Sequence, residues 1–367
     1  MKDMELQGLV EPLLIWYDKS HRILPWREYP TPYRVWISEI MLQQTRVEAV
    51  RPYYERFLRV LPDIVHLAQV TEDELLKLWE GLGYYNRARN LKKAAVMIQE
   101  TYGGEMPGQY EELLKLPGIG SYTAGAIASI AFGQPVPAVD GNVLRILARV
   151  SADDRDIMDQ KVRKNVEERL RNIMPTRAGD FNQALMELGA VVCVPNGMPK
   201  CEKCPWESMC RAKAEGTILE YPKKTPKKAR TIEEKTILVI QDENQTALRK
   251  RPEKGLLAGM YEFPSLQGYQ EEEEVLSYLN GLGYKVIHIR RLEDSKHIFT
   301  HREWRMIGYA IRVDELERPS NSGSGTFLFA ERGETEEKYP IPSAFSAYAK
   351  YLRIRLGNEK YAQNPLR

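Results

Sequence analysis

Hydrophobic side chains in the N-terminal part of the chain recur at intervals of three and four residues, which is the spacing of one face of an α-helix. Ile37 and Ile40 belong to one such set, and Leu75 and Trp79 belong to another. Pro-Gly pairs that favour turns separate the periods. The pattern therefore predicts an all-α N-terminal domain over residues 1–221.

A basic, proline-containing segment follows at residues 222–231. It holds two prolines and five lysines or arginines, and it has no acidic residue. This composition is typical of a solvated linker, although a segment of this kind can also lie along phosphates. We interpret it as the boundary between two domains.

The pattern changes to β-branched and aromatic runs after the linker. Thr236–Ile240, Val286–Ile289 and Trp304–Val313 are predicted to be strands, and residues 343–355 are predicted to form a closing helix. The sequence therefore predicts an α+β domain over residues 232–367. Within it, we expect Glu271–Glu274 to begin a helix and Asn321–Gly325 to form a flexible loop.

Length and composition agree with a folded protein of two domains. The chain has 367 residues, of which 43% are hydrophobic and 28% are charged. We find no apolar run long enough to span a bilayer and no signal peptide, so we expect a cytoplasmic protein without a membrane partner. The net charge of +2 is too small to make the whole chain a polyanion binder.

All four cysteines of the chain lie in one 18-residue window, at Cys193, Cys201, Cys204 and Cys210. In a reducing cytosol this density predicts a metal site rather than disulfides. The spacers are short and unequal, and only one Cys-x2-Cys pair is present. This spacing favours a cubane iron–sulfur cluster. Zinc remains the alternative, and four unrelated thiols would be the least expected explanation.

The segment Leu116-Pro117-Gly118-Ile119-Gly120 lies between two helical patterns and predicts a helix–hairpin–helix. Glycines at 118 and 120 allow a tight turn and leave backbone N–H groups uncovered at the start of the next helix. Such groups bind a DNA phosphate without reading the base sequence. An ordinary helix–helix corner that ends in a glycine cap is the alternative.

Several motifs together resemble the endonuclease-III superfamily of DNA glycosylases, and within it the adenine-specific, MutY-type branch. The matches cover nearly the whole chain, from about residue 8 to residue 350. They are the hairpin, the four-cysteine loop, Val136–Val143, Leu24–Arg27, Ser38–Thr45, Gly81–Tyr85, Ala184–Ala190 and Phe299–His301. One departure is that seven residues separate Cys193 from Cys201, where family members usually have six.

This resemblance implies removal of adenine mispaired with 8-oxoguanine or guanine, and it implies a [4Fe–4S] cluster on the four cysteines. The partner would be double-stranded DNA, and the protein is expected to be a monomer. Two rival interpretations are a bifunctional glycosylase/lyase of the endonuclease-III type and a non-catalytic lesion-binding protein. Both Glu39 and Asp140 are present, which argues against the second rival.

Cleavage of an N-glycosidic bond requires protonation of the leaving base and stabilisation of a cationic sugar. Glu39 lies among apolar residues of a predicted helix, where burial would raise its pKa and suit it as general acid. Alternatively, it belongs to the polar face of an amphipathic helix. Asp140 precedes a helical segment and can cap it while remaining ionised, as electrostatic partner or nucleophile. Asn142 would orient Asp140 or the water.

Tyr122 stands where bifunctional relatives place a lysine that forms a Schiff base with the sugar. This difference predicts a monofunctional enzyme that leaves an abasic site. Tyr122 is expected to hydrogen-bond to the region of Asp140 and the sugar.

The resemblance also assigns binding residues. The adenine pocket would be lined by Trp26, Arg27, Leu42 and Glu187. DNA would be contacted by Gln44, Thr45, Leu82 and Tyr84, and by the hairpin glycines Gly118 and Gly120. For Trp26 and Leu82, plain core packing is an equal alternative.

The C-terminal domain resembles a Nudix-type fold through Gly255–Pro264, but it lacks the Arg-Glu-x2-Glu-Glu core that binds Mg²⁺. We therefore exclude pyrophosphate hydrolysis. The resemblance implies that Phe299, Thr300 and His301 read 8-oxoguanine, although a hairpin turn with a buried Phe is the alternative. His297 lies close by in sequence, and no role is assigned to it.

Overall fold

The computed structural model describes residues 6–226, 229–314, 316 and 327–360. The expected loop Asn321–Gly325 and the linker residues Lys227 and Lys228 lie outside this part of the chain. Two compact units are present: Met1–Gln69 with Asn90–Pro226, and Val70–Arg89 with Lys227–Arg367. Residues 70–89 thus belong with the C-terminal strands, although they lie within the sequence of the helical part.

Helices make up most of the first unit, as the periodicity predicts. The α-helices in chain order are α1 (Val10–Ser20), α2 (Pro25–Glu28), α3 (Pro32–Leu42), α4 (Val47–Val60), α5 (Ile64–Gln69), α6 (Glu72–Trp79), α7 (Asn86–Tyr102), α8 (Tyr110–Leu113), α9 (Ser121–Phe132), α10 (Gly141–Ser151), α11 (Gln160–Arg171), α12 (Ala178–Val191), α13 (Arg211–Ala214), α14 (Glu272–Gly281), α15 (Arg332–Glu337) and α16 (Ser346–Ala349). Short 3-10 turns occur at Cys201–Lys203, Glu207–Met209, Ile218–Glu220, Ser343–Phe345, Lys350–Leu352 and Gly357–Lys360.

One apolar core of the first unit forms where α1, α10 and α12 pack together. Leu13, Phe181 and Leu188 are among its fully buried residues. Trp206 of the cysteine loop joins this core and donates its indole N–H to the carbonyl of Leu9. The cysteine loop is therefore tied to the first helix of the chain.

An extended segment before α10 is fixed from two sides. The Asn182 side chain is fully buried; its Oδ1 accepts from the N–H of Ala138 at 3.0 Å, and its Nδ2 donates to the carbonyl of Val136 at 2.8 Å. On the other side, α9 approaches so closely that a Cβ at Gly125 would lie 2.3 Å from the carbonyl oxygen of Pro137. These contacts set the position at which α10 begins.

The second unit contains a seven-stranded sheet with the order β3-β2-β1-β6-β5 along its main path, while β4 pairs with β1 and β7 pairs with β2. The strands are β1 (Thr231–Gln241), β2 (Gln245–Lys250), β3 (Tyr261–Glu262), β4 (Ser265–Gln267), β5 (Val286–Ile298), β6 (Arg302–Val313) and β7 (Leu328–Glu331). The central pair β1–β6 is parallel and runs in register from Thr231↔Arg302 to Gln241↔Arg312.

Both faces of the central strands are covered. Ile237 and Val239 join an apolar cluster with residues 341–356, whereas Leu238 and Ile240 join a second cluster with α14. Alternating residues of a strand point to opposite faces, so the continuous apolar run in β1 reflects burial on both sides. The predicted α+β domain and its three predicted strands are confirmed.

The prediction of one continuous closing helix over residues 343–355 is wrong. The segment consists of two 3-10 turns around the short helix α16, and Arg353 adopts a left-handed φ of 55°. Phe345, Tyr348 and Ile354 are all buried against the sheet. Packing on that face, rather than helical hydrogen bonding, decides the local conformation. The acidic run does begin a helix, because Glu271 caps α14.

No helix within the described ranges is long and apolar enough to cross a membrane.

Gly125→Ala tests the close approach of α9 to the segment before α10. The added Cβ would meet the backbone of Pro137, which has little room to move, so we expect the free energy of unfolding to fall by about 2 kcal/mol. Gly141→Ala is the matched control, since its Cβ would meet nothing within 4 Å. Denaturant unfolding followed by circular dichroism measures both variants. Equal stability of the two would contradict the close packing.

Candidate active site

A cavity of about 440 Å³ opens in the helical unit beside the first turn of α10. It brings together side chains that are far apart in sequence, and every catalytic and adenine-binding residue predicted from the sequence lines it. From the predicted set, the lining residues are Trp26, Arg27, Glu39, Leu42, Thr45, Tyr122, Asp140, Asn142 and Glu187. Gln44, Gly118 and Gly120 belong to the same unit but do not line the cavity.

Glu39 lies on α3 with only 5% of its surface exposed, and its Oε2 atom has no hydrogen-bond partner among the described residues. Burial raises the pKa of this carboxyl to about 7. The nearby charge of Asp140 adds to the rise, whereas the neighbouring Tyr122 hydroxyl and the charge of Arg27 oppose it. A carboxyl in this environment keeps its proton near neutral pH and can donate it. The exposed amphipathic-face alternative is therefore excluded for Glu39.

Asp140 is the N-cap of α10. Its Oδ1 atom accepts from the backbone N–H groups of Asn142 and Val143, both at 2.8 Å. Its Oδ2 atom accepts from Nδ2 of Asn142 at 2.7 Å. Three N–H donors and the positive end of the helix dipole stabilise a negative charge at this point.

Tyr122 lies in the first turn of α9, directly after the hairpin. Its hydroxyl stands 3.5 Å from Sδ of Met186 and interacts with the Glu39 carboxyl. Burial, together with the charges of Glu39 and Asp140, raises the pKa of Tyr122 well above its usual value. The hydroxyl is therefore neutral, and its only hydrogen bond among the described residues is the one to Met186.

A fully buried carboxylate, Glu187, closes one wall of the cavity through two arginines. Its Oε1 accepts from Nε of Arg22 at 2.7 Å, and its Oε2 accepts from Nη2 of Arg27 at 2.8 Å. Burial opposes ionisation here, but Arg22 and Arg27 lower the pKa of Glu187 below its usual value. The sequence reasoning missed Arg22. Its position two residues before the Leu24–Arg27 motif was the available signal.

The aromatic and apolar walls are built by α2 and α3. Trp26 is 6% exposed, and its ring packs edge-on against Tyr54 with the ring centroids 5.4 Å apart. Leu42 is the last residue of α3. Trp26 thus belongs both to the core and to the cavity wall, so the two alternatives for it are compatible.

The hairpin between α8 and α9 has the predicted geometry. Gly118 has a φ of +79°, where a Cβ would also meet Asn90 at 2.7 Å, and Gly120 is the N-cap of α9 without a capping side chain. The backbone N–H groups at this helix start therefore face no capping side chain of their own. Gln44, after α3, has a left-handed φ of 58°.

The other predicted recognition residues lie in the second unit. Leu82 is buried at 7% exposure, whereas Tyr84 is 48% exposed with a φ of 48°. The Tyr84 hydroxyl stands 3.2 Å from Oγ1 of Thr300. Thr300 is exposed at the turn between β5 and β6.

Phe299 anchors that turn. Its ring packs edge-on against Trp304 and His297, with centroid distances of 4.9 and 4.6 Å. The turn therefore combines a partly buried Phe with an exposed Thr300 and His301. His297, to which the sequence assigned no role, supports the turn, and burial lowers its pKa.

The four cysteines line a second cavity, together with Arg149 and Lys213. Nη1 of Arg149 donates to Sγ of Cys193 at 3.3 Å. Burial raises the pKa of Cys204 to about 12, and the charges of the other three cysteines, which line the same cavity, add to the rise. In the part of the chain that the structure describes, no group of three or more Cys, His, Asp or Glu is arranged to hold a single metal ion. Four thiols beside two cations nevertheless fit an anionic multinuclear cluster.

The buried acid should destabilise the protein at alkaline pH. Between the usual carboxyl pKa of 4.5 and the raised value of about 7, the folded state holds a proton that the unfolded state releases, so the free energy of unfolding falls as the pH rises. Glu39→Gln removes this penalty. We expect the variant to be more stable at pH 8 by about 3 kcal/mol and equally stable at pH 4.

Denaturant unfolding at both pH values measures the difference, with Glu11→Gln on the exposed side of α1 as control. A stability gain at pH 8 that matches that of the control would show that Glu39 is not desolvated.

Comparison with known proteins agrees with this geometry. The family model described as "HhH-GPD superfamily base excision DNA repair protein" matches residues 37–172, and the NUDIX domain model matches residues 236–351. The adenine DNA glycosylase of Homo sapiens is 34% identical over 95% of this chain and 74% of its own length. The adenine DNA glycosylase of Buchnera aphidicola (subsp. Acyrthosiphon pisum) is 38% identical over 79% of this chain and 82% of its own length.

Among solved structures, a non-covalent complex of endonuclease III with DNA aligns with a TM-score of 0.50 and 26% identity. That alignment covers 59% of this chain and 98% of the other. The resemblance inferred from the motifs is confirmed, as are the helical N-terminal and Nudix-like C-terminal folds. The chain therefore belongs to the adenine DNA glycosylase family, within the HhH-GPD superfamily of base-excision DNA repair proteins.

Proposed function

We propose that this chain hydrolyses the N-glycosidic bond of adenine mispaired with 8-oxoguanine or guanine in duplex DNA and leaves an abasic site. Hydrolysis of N-glycosyl bonds follows from family membership, and the opposing base and the residue roles are our proposal. One observation carries the roles: a desolvated Glu39 and a hydrogen-bonded Asp140 line the same cavity.

Glu39 acts as the general acid. Its proton passes to N7 of adenine, so that the bond between N9 and C1′ of the sugar breaks and a neutral base leaves. Because its pKa is about 7, the carboxyl is still substantially protonated at neutral pH and becomes a base after the transfer. It then helps position the water that adds to C1′.

Asp140 stabilises the cationic sugar. The hydrogen-bonded carboxylate attracts the positive charge at C1′, or it forms a transient covalent bond to C1′ that water later breaks. Asn142 orients the carboxylate through its Nδ2 donor. Tyr122 supplies a neutral hydroxyl in the same cavity and no amine for a Schiff base, which supports a monofunctional enzyme over the lyase alternative.

The extrahelical adenine would be held by Trp26, Arg27 and Leu42. Glu187 keeps Arg27 in place through a buried ion pair, and we add Arg22 to this wall because it binds the same carboxylate. A base that enters the cavity would meet an apolar ring and oriented N–H donors, which suits a planar heteroaromatic ligand.

DNA binding is assigned to exposed backbone and side-chain groups. The hairpin at Gly118 and Gly120 would bind a phosphate, while Gln44, Thr45 and Tyr84 would contact the opened duplex. Leu82 is buried in the free protein, so a role at the duplex would require it to move. Duplex DNA is the proposed partner of a monomer that works in the cytoplasm.

The opposing 8-oxoguanine would be read by the turn at Phe299, Thr300 and His301. A hydroxyl and an imidazole at an exposed turn offer both donors and acceptors for a base edge. The absence of the Nudix metal-binding core from the sequence fits a recognition role for this domain rather than hydrolysis.

The four cysteines would hold a [4Fe–4S] cluster, with Cys193, Cys201, Cys204 and Cys210 each capping one iron. A bound cluster would supply cross-linking of the loop rather than chemistry of the glycosidic bond. Arg149 and Lys213 offset the charge of the thiolates. The extra residue in the first spacer falls near Asn196, which lines the active-site cavity.

Duplexes that carry A:8-oxoG, A:G or thymine glycol test the proposed activity, each with and without alkali. We expect base release from the adenine duplexes, with strand scission only after alkali. Scission of the thymine glycol duplex without alkali would support the lyase alternative, and binding without any base release would support a lesion-binding protein.

Glu39→Gln is the corresponding variant, and it should slow base release by about 10²–10⁴-fold because the acid is lost. Duplex binding, measured by fluorescence anisotropy, should be unchanged. Glu11→Gln serves as the exposed control. A fully active Glu39→Gln protein would show that another group protonates the base.

The pH dependence follows from the same carboxyl. The single-turnover rate should fall about tenfold per pH unit above pH 7, because Glu39 then loses the proton that it must donate. Rates that stay flat from pH 6 to pH 9 would contradict this assignment.

Cys204→Ser should lower the iron content and the visible absorbance of the purified protein, since one thiolate ligand is replaced by a poor one. Met198→Ser is the matched control, because Met198 lies in the same loop and is 70% exposed. Zinc in place of iron in the unaltered protein would favour the alternative metal.

A further inference from the structure

A buried carboxylate, that of Glu80, joins residues 70–89 to residues 341–360, which follow the last strand of the second unit. Glu80 follows α6 and is only 1% exposed. Its Oε1 accepts from Nζ of Lys77 at 2.9 Å and from the N–H of Ile341 at 2.8 Å. Its Oε2 accepts from the N–H of Gly357 at 3.0 Å and lies 3.0 Å from Nζ of Lys360.

This arrangement compensates a charge that would otherwise be too costly to bury. Two ammonium groups and two backbone N–H groups surround the carboxylate, so both of its oxygens are satisfied. The donors come from three separate segments of the unit. Lys77 also donates to the carbonyls of Thr335 and Tyr339 at 3.2 and 2.7 Å, in the stretch of chain that leads to Ile341.

More exposed contacts support the same docking. Asp73 of α6 accepts from Lys250 at 3.0 Å and from the Tyr261 hydroxyl at 3.0 Å. The guanidinium of Arg89 donates to the carbonyl of Ala258. The exposed Asp73–Lys250 ion pair contributes little, whereas the Glu80 carboxylate is buried.

The loop that follows Glu80 directly has an unusual conformation. Gly81, Gly83 and Tyr84 all have positive φ, of 98°, 70° and 48°. Trp79 donates its indole N–H to the carbonyl of Gly83 at 3.1 Å, and Arg87 donates to the carbonyls of the loop. The strain at Tyr84 persists only if the surroundings hold the loop at both ends.

We propose that Glu80 is a positioning residue for recognition of the base opposite adenine. It fixes the start of the Gly81–Tyr85 loop to residues 341–360 of the same unit, and this sets the position of Tyr84 beside Thr300. The proposal rests on the function proposed above, because it assumes that Tyr84 and the Phe299–His301 turn act on the same DNA. Glu39 and Asp140 belong to the other unit, so bond cleavage itself does not require Glu80.

Glu80→Gln tests this role. The amide keeps the shape but turns an NH₂ group toward N–H donors and leaves two ammonium groups without a counter-ion. In single-turnover assays, we expect the half-saturating enzyme concentration for the A:8-oxoG duplex to rise about tenfold, equivalent to about 1.4 kcal/mol. The half-saturating concentration for the A:G duplex and the limiting rates with both duplexes should change less than about twofold, so the preference for 8-oxoguanine falls about tenfold.

Hydrogen exchange supplies a readout that needs no DNA. Amides of residues 81–85 should exchange about tenfold faster in Glu80→Gln than in the unaltered protein, while those of α10 stay unchanged. Glu334→Gln is the matched control, because Glu334 makes an exposed ion pair with Lys338 in the same unit. Lys360→Met provides a milder variant, which removes one of the two ammonium groups if Glu80→Gln does not fold.

The outcomes separate the two proposals. Faster loop exchange with loss of the 8-oxoguanine preference supports the role of Glu80. If a folded Glu80→Gln protein shows unchanged hydrogen exchange in residues 81–85 and an unchanged preference for 8-oxoguanine, the role is overturned. It is also overturned if activity falls equally with both duplexes and the Glu334→Gln control shows the same fall. If the unaltered protein releases no adenine from either duplex, the proposed function fails, and the exchange data still decide whether Glu80 fixes the loop.

Discussion

Desolvation of one carboxyl, that of Glu39, is the constraint on which the active site depends. A buried carboxyl without a hydrogen-bond partner for Oε2 among the described residues destabilises the fold, and the packing of α3 against α9 must offset this cost. The same burial holds its pKa at about 7, which makes the group useful as an acid. Stability and reactivity therefore oppose each other at this residue.

Three acidic side chains of one cavity show how environment assigns chemistry. Glu39 is buried and its Oε2 has no donor, so it keeps its proton, whereas Asp140 receives three N–H donors at a helix start. Glu187 is equally buried but is paired with two arginines, which stabilise its charge. Acidic side chains of the same chemistry thus serve as proton donor, anion and structural counter-ion.

In the second unit, too, the environment of a buried acidic side chain decides its role. Its Nudix-like sheet is covered on both faces, and the turn at Phe299 projects from the end of its longest strand pair. The buried charge of Glu80 holds the neighbouring loop, in which Tyr84 adopts a left-handed conformation. The left-handed conformation of Tyr84 is costly by itself, but side-chain donors from Trp79 and Arg87 bind the carbonyls of its loop and stabilise it.

The sequence by itself determined what depends on near neighbours: the helical and strand periods, the hairpin at Gly118, the capping of α10 by Asp140 and the cluster of cysteines. Its motifs also identified the family. Only the tertiary structure decided that Glu39 is buried, that Arg22 pairs with Glu187 and that residues 70–89 belong with the C-terminal strands. It also broke the expected closing helix into turns. Local hydrogen bonds and periodicity act within a few residues, whereas burial and ion pairing depend on groups that are far apart in the chain, as Arg22 and Glu187 are by 165 positions.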